Sequence, residues 1–398
     1  MPEDGSLPES ALAGVGDRPF GIYVHVPFCT VRCGYCDFNT YTAEELGTAG
    51  GAPGASRRTY AEAAIAEVRR ARVALGDVDV PVQTVFFGGG TPTLLSPADL
   101  GTVVAAIASE FGLADDAEIT TESNPDSVAL WDLEELRRVG FTRISFGMQS
   151  AVDHVLKVLD RTHDPLRVPA VVDWARQAGF EQISLDLIYG TPGESLADWE
   201  TSVESALESR PNHVSAYSLI VEDGTALARR VKRGELPMPD EDDLADKYVL
   251  ADERFEAAGL GWYEVSNWAK DEQSRCRHNL NYWTGADWWG VGPGAHSHVC
   301  GVRWWNVKHP AAYADRLAAG LSPAHAREVL DDESRRVERV LLELRLRDGL
   351  PVSVLDATGR AAVARLIDDG LLTRHAERLV PTRRGRLLAD AVVRDLLP

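Results

Sequence analysis

Residues 21–41 read GIYVHVPFCTVRCGYCDFNTY, a β-branched run followed at once by three cysteines in the pattern CxxxCxxC. Cys29, Cys33 and Cys36 therefore stand on a tight loop at the carboxyl end of the first predicted strand. Three thiolates can bind three irons of a 4Fe–4S cubane and leave the fourth iron without a protein ligand, unlike the four-cysteine sites of ferredoxins. The spacing predicts a cluster with one open corner.

An open iron suits the amino and carboxylate groups of S-adenosylmethionine, and electron transfer into the sulfonium would give a deoxyadenosyl radical. The competing interpretation is a zinc site. Zinc normally requires a fourth Cys or His and often a second CxxC pair, whereas the next cysteine here is Cys276, far along the chain. The sequence favours the cluster.

Five further runs of β-branched and aromatic residues follow, separated by amphipathic stretches with a helical period. Strands joined in the same sense by helices form a parallel sheet with right-handed crossovers, and active residues lie at the carboxyl ends of the strands. The pattern predicts an α/β fold with a partial (βα)6 barrel over residues 19–261. The runs are QTVFF (83–87), AEITT (117–121), TRISF (142–146), QISLDLIY (182–189) and HVSAYSLI (213–220).

The regions around the barrel lack this repeat. Residues 1–18 are polar and are predicted to be a disordered tail, and the Gly-rich stretch 44–58 is predicted to be mobile. Residues 262–329 are dense in Trp, Tyr, His and Asn and are predicted to form an irregular connecting segment. Residues 330–398 show a helix, helix, two-stranded wing and helix, which predicts a small winged-helix-like α+β domain that serves in packing.

Composition limits the partners. The net charge of -20, with no Lys/Arg stripe, argues against nucleic acid. No apolar run approaches about 18 residues, so no integral membrane segment is expected, and the first residues lack the features of a signal peptide. Five cysteines, three of them clustered, fit a reducing compartment better than a disulfide framework. A cytoplasmic location is predicted.

Glycine and polar residues recur where the predicted strands end. Three glycines in GGGTP follow the second strand and let the backbone approach a ligand closely. Glu122, Gln149 and Asp186 occupy comparable positions in later strands. One such residue alone would be a cap or a solvated side chain, but a set at successive strand ends predicts a ligand-binding rim. Arg161 could bind a carboxylate there, although an isolated arginine is more often a surface residue.

The chain resembles the radical S-adenosylmethionine family that contains anaerobic coproporphyrinogen III dehydrogenase, and within it the haem-chaperone subgroup, from about Pro19 to the C-terminus. The resemblance is carried by YVHVPFCTVRCGYCDF, GGGTPT, ESNPD, ISFGMQS, LDLIYGTPGES and CRHNLNYW. It implies that the three cysteines hold the cluster. Residues matching contacts of the cluster-bound S-adenosylmethionine are Tyr23, Gly89 and Glu122. Those matching contacts of a second such molecule, whose use is left open, are Tyr35, Gly90, Thr91, Gln149, Arg161 and Asp186.

Two motifs distinguish the chain within that family. Phe38 stands where the dehydrogenases carry a further cysteine, which puts porphyrinogen decarboxylation in doubt. The HNxxYW signature matches the subgroup in which it is implicated in haem binding, and its His278 is the expected axial ligand. The competing interpretation is that a lone histidine among aromatic residues is a hydrogen-bonded structural residue. Weaker candidate ligands are Cys276, His296, His298 and Cys300.

The resemblance thus implies a haem chaperone that binds haem, a 4Fe–4S cluster and S-adenosylmethionine and delivers haem to an unidentified acceptor protein. No residue is assigned as catalytic, although reductive cleavage of S-adenosylmethionine is chemically open to such a site. One alternative is an oxygen-independent coproporphyrinogen III oxidase that abstracts hydrogen from propionate side chains. A second is a cluster-bearing scaffold without radical chemistry.

Overall fold

A sheet of parallel strands forms the centre of the molecule, in a computed structural model that describes residues 2–47 and 54–397. Its six central strands stand side by side in chain order. All six predicted strands, and the (βα)6 unit of an α/β fold, are confirmed. The strands are β1 (Phe20–Val26), β2 (Val82–Gly89), β3 (Leu113–Ser123), β4 (Arg143–Gln149), β5 (Gln182–Tyr189) and β6 (His213–Ser218).

The strands are largely buried because helices and loops cover both faces of the sheet, although the first half of β3 is exposed and acidic. Every residue of β4 is buried, as is typical of parallel strands. Serine caps start two of the crossover helices, since Ser96 accepts from the amide of Asp99 and Ser195 from that of Asp198. The helices up to this point in the chain are α1 (Glu9–Leu12), α2 (Ala43–Leu46), α3 (Tyr60–Leu75), α4 (Pro97–Phe111), α5 (Leu130–Arg138), α6 (Asp153–Val158), α7 (Arg167–Gln177), α8 (Leu196–Glu208), α9 (Ala226–Lys232) and α10 (Glu241–Ala257).

The segment 262–329 is not irregular, and the prediction for it is wrong. Two of its strands pair beyond β6 and four pair beyond β1, so the sheet has twelve strands. Most of these strands have five residues or fewer, which is too short to show a clear period of two. They are organised by pairing within the sheet. They are β7 (Gly261–Glu264), β8 (Asn267–Ala269), β9 (Asp287–Val291), β10 (His296–Val299), β11 (Val302–Asn306) and β12 (Ala324–Val329), with helices α11 (Arg277–Thr284) and α12 (Pro310–Ala318).

The N-terminal segment also departs from its prediction. Leu7, Ala11 and Val15 are buried in the main core, and Ala11 lies in the short helix α1. The amide of Ser322 donates to the carbonyl of Glu3 at 2.8 Å, which fixes the segment to the loop before β12. The prediction that residues 2–18 are disordered is therefore wrong. Apolar residues spaced four apart bury one side of an otherwise polar stretch. Of the Gly-rich stretch, residues 48–53 lie outside the described residues.

The C-terminal region has its own small core. The predicted helix, helix, wing and helix are confirmed, with two differences: a third short strand joins the wing, and the last helix is broken. Its elements are α13 (Asp332–Glu343), β13 (Leu350–Pro351), α14 (Ala357–Asp368), β14 (Leu372–His375), β15 (Arg378–Pro381), α15 (Arg383–Leu387) and α16 (Ala389–Leu396). None of the helices in the described part of the chain is long and apolar enough to cross a membrane.

Candidate functional site

The cysteine loop is anchored at the carboxyl end of β1. The amide of Cys29 donates to the carbonyl of Tyr41 at 3.0 Å, and the amide of Tyr41 donates to that of Pro27 at 2.7 Å. Further along, the amide of Gly34 donates to the carbonyl of Leu159 at 3.3 Å. The three cysteines are free thiols of intermediate burial. The loop is therefore held in place by backbone contacts that leave its thiols available.

Burial favours the protonated form of two of the three thiols, Cys29 and Cys36. Burial raises the pKa of Cys29 to about 11, and the neighbouring Cys36 and Cys33 add to the shift. Burial also raises the pKa of Cys36. Within residues 2–47 and 54–397, no group of three or more His, Cys, Asp or Glu side chains is arranged around a single-ion position. Since a cubane takes one thiolate on each of three irons, the assignment of the trio rests on its spacing and its place after β1.

The GGGTP segment, which begins in the last two residues of β2, lies against the cysteine loop. The amide of Gly90 donates to the carbonyl of Val26 and that of Thr91 to the carbonyl of Phe28, each at 2.8 Å. A Cβ at Gly90 would lie 2.5 Å from the Phe28 carbonyl oxygen. Only glycine fits there, so the predicted close backbone approach is present, and it is made to the cysteine loop itself.

Two carboxyl groups face each other inside the barrel. Burial raises the pKa of Glu122 to about 8, the charge of Asp186 adds to the shift, and the Gly89 amide, which donates to Glu122 at 3.2 Å, opposes it. Burial likewise raises the pKa of Asp186, although the Ser145 hydroxyl donates to it at 2.8 Å. Burial outweighs the opposing charge of Arg161 at Asp186, so the two carboxyls together favour a positively charged ligand. A sulfonium or ammonium group fits this requirement.

Arg161 is part of the site rather than an isolated surface residue. One guanidinium nitrogen lies 3.7 Å from Cys33 Sγ, and another donates to Asn124 at 2.9 Å and to the carbonyl of Gly147 at 2.8 Å. Its Nε has no hydrogen-bond partner among the described residues. A cavity of about 180 Å³, lined in part by Cys33, Thr91 and Arg161, lies beside the cysteine loop. The orphaned donor and this cavity fit an anionic group such as a carboxylate.

The other predicted contacts lie around the same rim. Gln149 ends β4 with a left-handed φ of 62°, and a Cβ at Gly147 would lie 2.9 Å from its amide nitrogen. Burial raises the pKa of Tyr35, and Arg161 opposes that shift. The hydroxyl of Tyr23 shares a 3.0 Å hydrogen bond with His25 Nδ1. The structure thus brings the predicted rim residues together.

His25 and Asn124 were missed from the sequence. His25 also hydrogen-bonds the carbonyl of Asn39 at 2.9 Å and so connects β1 to the cysteine loop. Its signal was the period of two along β1, which places it on the same face as Tyr23. Asn124 donates to Thr91 at 3.1 Å and accepts from Arg161. It lies within the ESNPD motif, two residues after the assigned Glu122.

His278 differs most from its predicted role. It is 1% exposed, stacks on Phe86 with ring centroids 5.3 Å apart, and uses both ring nitrogens in hydrogen bonds: Nδ1 with Thr84 at 2.8 Å and Nε2 with Tyr282 at 2.9 Å. Burial lowers its pKa to about 3. Both potential iron-binding atoms are engaged inside the barrel, so axial ligation by His278 is not supported. The structural interpretation of this histidine is the one that fits.

The signature helix α11 is held by a buried ion pair. The carboxylate of Glu118 accepts from the amides of Arg277 at 3.2 Å and His278 at 3.1 Å, which supplies the cap that its N-terminus lacks. Arg143 donates to Glu118 at 3.2 Å. The weaker candidates Cys276, His298 and Cys300 are buried and bonded to nearby groups, whereas His296 is exposed and stacks on Trp305.

Strand order, cysteine loop and carboxylate rim together define a radical S-adenosylmethionine protein. A family model described as the Radical SAM superfamily matches residues 23–206, and one described as the HemN C-terminal domain matches residues 330–388. The chain is 51% identical to "Heme chaperone HemW" of Mycobacterium tuberculosis (strain ATCC 25618 / H37Rv), with 97% of each chain covered. It is 32% identical to "Heme chaperone HemW" of Bacillus subtilis (strain 168), with 93% of this chain and 97% of the relative covered. The chain belongs to the HemW family.

A solved structure shares the fold over almost the whole chain. Its title is "Coproporphyrinogen III oxidase (HemN) from Escherichia coli is a Radical SAM enzyme", and the TM-score is 0.82 with 99% of this chain and 94% of that chain covered. Sequence identity is 23%, so this likeness concerns the fold alone.

Proposed function

We propose that this protein is a haem chaperone that carries a 4Fe–4S cluster, binds S-adenosylmethionine beside it and delivers haem to an acceptor protein. The observation that carries the proposal is the 51% identity, over 97% of the chain, to a relative named Heme chaperone HemW. At this identity the barrel, the signature segment and the C-terminal region are all matched, and not the cluster motif alone.

Cys29, Cys33 and Cys36 would bind three irons of the cluster. The GGGTP backbone supports this loop from one side and Arg161 contacts Cys33 from the other. Since burial raises the pKa values of Cys29 and Cys36, iron binding to these thiols releases protons and is favoured as pH rises. The loop is built to offer thiolates without rearranging its backbone contacts.

S-adenosylmethionine would lie between the cluster and the paired carboxyls. When bound to the open iron and reduced, it supplies a deoxyadenosyl radical. Glu122 and Asp186 provide the negative charge for its cationic groups, Gly89 leaves room for the backbone to approach, and Tyr23 forms the wall on β1. The rim residues Tyr35, Gly90, Thr91, Gln149 and Arg161 extend this site toward the cysteine loop, and the binding of a second molecule there stays open.

The alternative function is an oxygen-independent coproporphyrinogen III oxidase. Phe38 argues against it, because the side chain at the position of the dehydrogenases' extra cysteine is an exposed apolar ring. A phenyl ring neither binds metal nor transfers protons or electrons. The oxidase is therefore the second candidate.

Two measurements on anaerobically reconstituted protein test the proposal. Titration with haemin should give a shifted Soret band that saturates, and incubation with apo-acceptor haemoproteins should transfer the pigment. Incubation with coproporphyrinogen III, S-adenosylmethionine and a reductant should yield no protoporphyrinogen. Turnover in the second assay, or the lack of any haem complex in the first, would reject the chaperone.

A further inference from the structure

A clamp formed by one side chain holds the last residues of the cysteine loop. The side-chain amide of Asn39 donates to the carbonyl of Pro293 at 3.0 Å and to that of Lys308 at 2.7 Å. The hydroxyl of Tyr41 donates to Asn39 Oδ1 at 3.2 Å, so both ends of this amide are bonded. Pro293 follows β9 and Lys308 follows β11. Asn39 therefore joins the cysteine loop to two loops of the strands that extend the sheet beyond β1.

Thr40 is buried between two anchored neighbours, and it is only 2% exposed. On one side, Asn39 is fixed by the contacts just described. On the other side, the amide of Tyr41 donates to the carbonyl of Pro27 at 2.7 Å, and its carbonyl accepts from the amide of Cys29 at 3.0 Å. The position of Thr40 is thus determined by the strands around it and not by the loop alone.

The hydroxyl of Thr40 faces the cysteine sulfurs. Its Oγ1 lies 4.0 Å from Cys36 Sγ, which is its one hydrogen-bond partner in the part of the chain that the structure describes. Burial raises the pKa of Cys36, and the Phe38 amide and the Thr40 hydroxyl oppose this rise. Burial likewise raises the pKa of Cys29 to about 11, and the hydroxyls of Thr91 and Thr40 oppose it. One buried hydroxyl thus stabilises negative charge on two of the three sulfurs.

We propose that the Thr40 hydroxyl donates to the sulfur ligands of the cluster and that Asn39 positions it, which raises the reduction potential of the cluster and slows its loss of iron. This inference rests on the cluster assignment in the proposed function. Hydrogen bonds to the sulfurs are among the factors that set the potential of an iron–sulfur cluster. The reduced cluster carries one more negative charge than the oxidised one, so a donor stabilises the reduced state more.

Burial makes the hydroxyl difficult to replace. At an exposed position, water would take over the hydrogen bond of a deleted donor. At Thr40 the side chain is enclosed, and valine has nearly the same shape with a methyl group in place of the hydroxyl. The exchange therefore removes the donor while the packing of the loop is kept.

Potentiometric titration of the reconstituted full-length protein, followed by EPR of the reduced cluster, tests the donor. Thr40→Val should lower the ratio of reduced to oxidised cluster at a fixed potential by about tenfold, which equals about 59 mV for one electron. Thr40→Ser keeps the hydroxyl and should retain the potential of the unmutated protein. Thr84→Val removes a hydroxyl of similar burial that bonds His278, and it should leave the potential unchanged.

A second variant tests the clamp. Asn39→Ala removes both donations to the outer loops, so it should lower the potential in the same direction and increase the rate of iron loss to a chelator by about tenfold. Asn212→Ala is the matched control. Its half-buried side chain accepts from the amide of Ile183 before β6, away from the cysteine loop, and its loss should change neither quantity.

The outcomes separate the donor from its alternatives. A potential in Thr40→Val equal to that of the unmutated protein rejects the inference, and so does a serine variant that behaves like the valine variant, because shape would then be responsible. If valine prevents assembly of the cluster, Thr40→Ala lacks the donor without added bulk and gives the same comparison. Absence of a cubane signal in the unmutated protein would count against the proposed cluster itself.

Discussion

Replacing Glu122 by Gln should stabilise the cluster-free protein at alkaline pH and weaken the binding of S-adenosylmethionine by the reconstituted protein. In the folded protein, burial raises the pKa of Glu122 from 4.5 to about 8. Between these pH values the folded protein keeps a proton that the unfolded chain releases, so the free energy of unfolding falls as pH rises through this window. Glutamine carries no ionisable proton and removes this loss.

The magnitude follows from the size of the shift. A rise in pKa from 4.5 to about 8 corresponds to at most about 5 kcal/mol above pH 8, and the partial exposure of the side chain reduces the effect to about 2–3 kcal/mol. Other buried carboxyls with raised pKa values, such as Glu67 and Glu194, contribute to the pH dependence of the unmutated protein. The difference between variant and parent isolates Glu122.

Urea unfolding at about pH 6 and pH 8.5 measures this effect in the absence of cluster. We expect the excess stability of the Glu122→Gln protein over the parent to be larger at the higher pH than at the lower one, while Glu134→Gln, an exposed control on α5, follows the parent at both. Isothermal titration of the reconstituted variant should show S-adenosylmethionine binding weakened by about tenfold or more. A variant that binds this ligand normally, or loses stability with pH as the parent does, would refute the reasoning.

Three further changes test other parts of the molecule. Gly90→Ala places a Cβ 2.5 Å from the Phe28 carbonyl oxygen, so it should lower the free energy of unfolding by about 1–3 kcal/mol and reduce the iron bound per chain; unchanged iron content would show that the contact does not shape the loop. His278→Ala should destabilise the protein by about 2–4 kcal/mol yet retain the haemin Soret band, and loss of the band at full folding would restore axial ligation. Asp252→Asn leaves Arg383 and Arg386 without their shared carboxylate, so unfolding free energy should fall by about 3 kcal/mol and limited proteolysis should release the C-terminal region; resistance equal to that of Asp368→Asn, an exposed control at the end of α14, would contradict this.

Much of the ligand-binding rim could be predicted from the sequence, because its residues belong to short motifs at the ends of predicted strands. Parallel strands all end at the same edge of the sheet. The residue that follows each strand therefore lies at that edge, whatever the rest of the chain does. Gly90, Glu122 and Asp186 were identified in this way. Their neighbours His25 and Asn124 were missed, because the role of each depends on hydrogen bonds to residues distant in the chain, Asn39 for His25 and Thr91 for Asn124.

The signature histidine shows where local pattern stops being informative. HNxxYW indicates a functional segment, but whether His278 faces a ligand or the core depends on the rotation of α11. That rotation is set by Glu118, which is distant in sequence and accepts from the first amides of the helix. The same helix places Tyr282 and Trp283 in the lining of a pocket that also includes Glu264.

By itself, the sequence determined the cysteine loop, the six parallel strands in chain order, and the helix, helix, wing and helix of the C-terminal region. Each of these depends on spacing within a short stretch of chain. Tertiary structure alone decided that residues 262–329 complete both edges of the sheet, that Leu7 and Ala11 join the core, and that Glu264 and Trp283 share a pocket. These outcomes depend on which distant surfaces meet, and pairing partners far apart in the chain are selected by burial and hydrogen bonding that no local period encodes.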